Sequence, residues 1–133
     1  MRHETLLIPL SLALFSVGVA TAAAEVVVIA HNNTTLAAHE VREVFLGEKQ
    51  FAGAVRLMPV DNSPAQPEFL AKVLKLEVDR YSTAWTKKSF REGLNPPPLK
   101  SGDAEVLDYV RRTPGAVGYV SKAPTGVQIV QKY

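Results

Sequence analysis

Few side chains in this sequence are equipped for covalent or metal chemistry. There is no cysteine, which removes disulfide staples, thiolate metal sites and a thiol nucleophile. His31 and His39 follow no metal-binding spacing, so no metal site is expected. His31 and Asn32 stand just past a strand-like run, where open α/β sheets gather ligand contacts. Ser63, His31 and Asp61 assemble on paper into a hydrolytic set, but no nucleophile elbow or glycine loop frames a serine. No catalytic residue, no enzyme activity and no cofactor are expected.

What remains is binding chemistry. Asp61-Asn62-Ser63-Pro64-Ala65-Gln66 has the form of a helix start, with serine as cap, proline at the first helical position and glutamine reaching back. A helix start can take an anion through its free amides and its positive dipole end. The same residues also make a complete cap that needs no ligand. Pro64 and Pro67 remove amide donors, and Asp61 adds negative charge, although a protonated oxyanion can donate a hydrogen bond to it. The ligand candidates are therefore Asp61, Asn62 and Ser63, with His31 and Asn32. Arg91 and Lys100 flank a proline turn and offer positive charge or a plain solvated surface. Tyr81, Trp85, Phe90 and Tyr119 read as core or, less economically, as an aromatic wall.

These residues need elements to hold them. Glu25 to Ala30 is a β-branched run that suits a central strand buried on both faces. Leu36, Val41, Val44 and Phe45 give an amphipathic helix capped by Thr34 or Thr35 and stopped by Gly47. Val55 to Val60 reads as a strand, with Pro59 at a sheet margin. Helices follow from Ser63 and through Tyr81, Trp85 and Phe90, ended by Gly93 and the prolines at 96–98. A last helix opens at Ser101-Gly102-Asp103, and Ala116 to Val120 and Val127 to Val130 close the chain as strands, with the alternating run Gln128 to Tyr133 at a sheet edge where a partner could add a strand. The order predicts an α/β domain with a mixed sheet flanked by helices.

The chain has 133 residues, 47% hydrophobic and 21% charged, the composition of one globular domain. A net charge of +2 gives no basis for nucleic-acid binding. Arg2, the apolar run Leu6 to Ala20 and the small residues Ala22 and Ala24 have the order of an export signal cleaved after Ala24. An uncleaved membrane anchor is the alternative. The expected organisation is a signal peptide over 1–24 and a single domain over 25–133, periplasmic or secreted, with no membrane span after cleavage.

Phe45-Leu46-Gly47-Glu48-Lys49, Tyr81 with Trp85, Pro96-Pro97 and Pro114-Gly115-Ala116-Val117-Gly118-Tyr119-Val120 together resemble the short proteins of the phosphate ABC transporter substrate-binding family. The resemblance implies a periplasmic-binding-protein fold of the second type, in which two α/β lobes clasp an oxyanion. This chain supplies about one such lobe, and Asp61-Asn62-Ser63-Pro64 replaces the Ser-Gly-Thr-like ligand turn. The resemblance thus implies an exported, non-enzymatic solute-binding module for phosphate or another oxyanion, linked to ABC transport. A lobe that has lost its ligand and serves as an interaction scaffold is the alternative. The missing half points to a transporter or other envelope protein as partner, or to self-association through His31, Asn32, Asp61 and Asn62.

Overall fold

The computed structural model describes residues 25–133, so the expected signal and anchor readings of 1–24 lie outside the described residues. In chain order the elements begin with β1 (Val27–Ala30), a 3₁₀ turn (Ala38–Glu40), α1 (Val41–Phe45), β2 (Phe51–Ala52), β3 (Val55–Arg56), β4 (Met58–Pro59) and β5 (Asp61–Asn62). They continue through α2 (Gln66–Phe69), a wider π-type turn (Leu70–Leu74), α3 (Val78–Glu92), β6 (Leu99–Lys100), α4 (Asp103–Arg112), β7 (Ala116–Val120) and β8 (Gln128–Lys132). Among the described residues no helix is long and apolar enough to cross a membrane.

The main sheet is ordered β4-β7-β1-β8. β1 is antiparallel to both neighbours, while β4 runs parallel to β7, so the sheet is mixed. Alternation along β1 sends Val26, Val28 and Ala30 to one side, where α1, α2 and α3 cover them, and Val27 and Ile29 to the other, where α4 does. Burial on both faces is why this strand is apolar throughout rather than alternating. The result is one α/β lobe, a mixed sheet flanked by helices, as the element order predicts.

Local chemistry departs from the expected boundaries at four places. The first helix begins as the 3₁₀ turn, and neither threonine caps it. Thr34 is instead fully buried, and its Oγ1 accepts the Gly115 N–H at 3.0 Å. Gly115 has φ 83°, and a Cβ there would lie 2.0 Å from the Arg56 carbonyl oxygen, so only glycine fits this turn. The Val55 to Val60 run is split: β3 pairs with β2 as a hairpin, Leu57 is buried, and β4 joins the main sheet at its edge.

The third departure is at Ser63. Its N–H donates to the Lys100 carbonyl at 2.9 Å, extending the β5–β6 pairing, and the chain turns once more before Gln66 opens α2 with Ala65 as its uncapped start. Ser63 lies in the turn that follows β5 and is not the expected cap. Finally, Phe90 does not share the buried side of α3. Tyr81 and Trp85 are buried, but Phe90 lies five residues beyond Trp85, about 140° further round the helix, and is 93% exposed.

Two glycines explain the motif pieces. Gly47 has φ 71°, and a Cβ there would sit 2.8 Å from the Trp85 ring; Trp85 Nε1 donates to the Phe45 carbonyl at 3.0 Å. The Phe-Leu-Gly turn and the tryptophan are thus one packing unit joining α1 to α3. Gly118 lets α4 lie close on β7, since a Cβ would be 2.7 Å from Val106 Cγ1. Phe69 stacks on Tyr119 with ring centroids 3.8 Å apart, and Phe45 meets Phe69 edge-on at 4.7 Å.

Candidate functional site

Asp61 lies at the end of the β4–β5 segment and is 2% exposed. The Tyr81 hydroxyl donates to its Oδ2 at 2.7 Å and the Tyr119 hydroxyl to its Oδ1 at 2.8 Å. Burial raises the Asp61 carboxyl above its ordinary range, while the two phenol donors act the other way. Both phenols are themselves pushed up by burial and by the facing carboxylate, so they stay protonated donors. Asn62 is fully buried beside it, donating from Nδ2 to Asp103 Oδ1 at 2.8 Å and to the Tyr119 carbonyl at 2.9 Å. Asp103 Oδ2 in turn accepts the Ser121 N–H at 3.1 Å and the Ser121 hydroxyl. This chain of bonds fastens β5 to α3, β7 and the start of α4. Asp61 and the Asn62 side-chain nitrogen are committed to the protein's own interior, while Asn62 Oδ1 is buried with no hydrogen-bond partner among the described residues.

The five sequence candidates do not converge. Because β1 is antiparallel to β7 and β7 is parallel to β4, the carboxyl ends of β1 and β4 lie at opposite ends of the sheet. The His31 N–H donates to the Ala116 carbonyl at the start of β7, whereas Asn62 bonds the Tyr119 carbonyl near its end, roughly 10 Å of strand away. A single contact face through His31, Asn32, Asp61 and Asn62 is therefore corrected by strand direction. His31 Nδ1 lies 2.6 Å from Asn33 Oδ1, and Asn32 is tied to the loop before β8, its Nδ2 donating to the Gly126 carbonyl at 3.1 Å. Ser63 is exposed at the other end. The hydrolytic set is dispersed in the same way.

Charge also opposes an anion at the Ser63 turn. The small hollow beside Pro64 and Ala65, about 120 Å³, is bordered by Glu25, Glu68 and Asp103. Burial raises the Asp103 carboxyl, but the hydrogen bonds from Ser121 and Asn62, with Lys122 nearby, more than offset this and hold it below its ordinary value. It is ionised at neutral pH.

A different hollow has the opposite sign. A cavity of about 500 Å³ opens between the turn after α1, the β3–β4 segment and the proline strip, and its lining includes Lys49, Arg56, Gln50 and Asn95 but no aspartate or glutamate among the described residues. Trp85, Tyr109 and Pro96 to Pro98 supply apolar walls. Lys100 lies nearby with Nζ 4.8 Å over the Tyr109 ring, while Arg91 is exposed on α3 and does not line the cavity. Sequence reading passed over Lys49 and Arg56 as binding groups, because one belongs to a glycine turn and the other to a two-residue hairpin strand. The available signal was that both flank the segment Gln50 to Val55, whose ends a hairpin must bring together.

Among the described residues no group of three His, Asp or Glu side chains could hold a metal ion. No protein-family model matches the chain, and no curated protein matches it.

Proposed function

We propose that this domain is an exported, non-enzymatic binding module of the solute-binding type that takes a small oxyanion, phosphate being the first candidate, in the Lys49–Arg56 cavity. The observation that carries the reading is the contrast of charge: two cations and no carboxylate line that cavity, whereas Glu25, Glu68 and Asp103 border the hollow beside Pro64 and Ala65. Concave sites with one sign of charge concentrate ions of the other. The link to ABC transport follows from the family resemblance, and in that setting a transporter or other envelope protein supplies the wall that a second lobe would give. One observation favours a scaffold with no ligand: the Asp61 carboxyl and the Asn62 side-chain nitrogen are consumed by internal bonds.

Titration calorimetry with phosphate and sulfate on residues 25–133 separates the two. Under the anion reading heat is released, the melting temperature rises with ligand by linkage, Arg56→Ala abolishes both effects and Ser63→Ala leaves them intact. Absence of heat and of any thermal shift at millimolar anion rejects the anion reading in favour of the scaffold.

A further inference from the structure

The cavity does not offer its ligand two free positive charges. Lys49 Nζ is 2.8 Å from Glu40 Oε2, with the two side chains 29% and 23% exposed. Glu40 is held from its other oxygen as well, Oε1 accepting the Ala37 N–H at 3.0 Å. The Lys49 backbone is fixed by its N–H to the Glu43 carbonyl at 3.1 Å, beside the Glu48 N–H at 2.8 Å to the same oxygen. The hydrogen bond from Lys49, then that from Ala37, holds the Glu40 carboxyl below its ordinary range, so at neutral pH it is a full negative charge. Arg56 forms no ion pair among the described residues. Glu40 therefore cancels about one of the positive charges that Lys49 and Arg56 bring to the cavity, to which Lys100 adds from beside Tyr109.

We infer that Glu40, standing behind Lys49, sets the charge selectivity of this cavity in favour of singly charged over doubly charged oxyanions. The inference rests on the anion reading above. Attraction to the cavity grows in proportion to ligand charge, whereas the cost of stripping water from the ion grows with its square. Lowering the positive charge of the site consequently shifts its preference from a dianion towards a monoanion. Removing the carboxylate deletes a repulsion that is itself proportional to ligand charge, so the gain for a dianion is the square of the gain for a monoanion.

Glu40→Gln tests this, because the glutamine oxygen can still accept the Ala37 N–H while the charge is gone. Calorimetry at about pH 5 compares inorganic phosphate, there mostly singly charged, with sulfate, while Glu40 in the unaltered protein remains ionised. The expected result is binding about threefold tighter for phosphate and about ninefold tighter for sulfate. Lys49→Met, which leaves Glu40 without its cation, should weaken both and sulfate more. Equal changes for the two ions, or unaltered affinities in Glu40→Gln, overturn the inference while leaving the anion reading standing. If the unaltered protein binds neither ion at millimolar concentration, both fall together.

Discussion

A buried carboxylate with no cation of its own must be held by other means, and at Asp61 two phenols do it. Hydrogen bonds to a charged group contribute about 1.5–3 kcal/mol each, so Tyr119→Phe, which keeps the ring stack on Phe69, should lower unfolding free energy in urea by about that amount. The pH dependence has a definite sign. The folded-state value of Asp61 is raised above 3.8, so the native state takes up its proton before the unfolded chain does, and stability from this group grows as pH falls through the folded value towards the unfolded one. Asp61→Asn lacks that gain. The unfolding free energy of the unaltered protein minus that of Asp61→Asn should therefore increase as pH is lowered from neutral, a difference in which the opposite contributions of Asp103 and Glu40 cancel.

Between elements, contact is set by what is missing from a residue as much as by what it carries. Gly118 faces Val106, Val110 and Val60 with no room for a methyl group, so Gly118→Ala should force α4 away from β7 and cost about 1–3 kcal/mol, measurable as a lower denaturation midpoint. Such pairings also decide what can be read from a sequence. β1, β7, the long helix and the glycine stop at Gly93 were legible because each is signalled by neighbouring residues: β-branched runs, a 3.6-residue period, a glycine before prolines. The start of α2 was not, since the Ser63 N–H is drawn to the Lys100 carbonyl, far along the chain, and the helix opens only at Gln66. Nor was the fate of Asp61 and Asn62, whose partners Tyr81, Asp103 and Tyr119 lie tens of residues away. The Lys49–Arg56 cavity depends on the folded course of three separate segments, and no local pattern announces it.

Over the whole molecule, protection radiates from β1, which is buried along its length and paired on both sides. Native-state hydrogen exchange should find its amides, with those of β7, exchanging only by global unfolding, while the exposed β2–β3 turn at Gly53 and the 121–126 loop exchange by local opening. The two ends of the described chain meet on this same strand: the Tyr133 N–H donates to the Val26 carbonyl at 2.8 Å, and the Val26 N–H returns the bond at 3.4 Å. Tension applied between residues 25 and 133 would accordingly load the β1–β8 hydrogen bonds one pair at a time, like a zip opened from its tab, instead of shearing them all at once. Under an optical trap or an atomic-force tip, the lobe should give way at low force by peeling β8 from the sheet, even though β1 is thermodynamically its most protected strand.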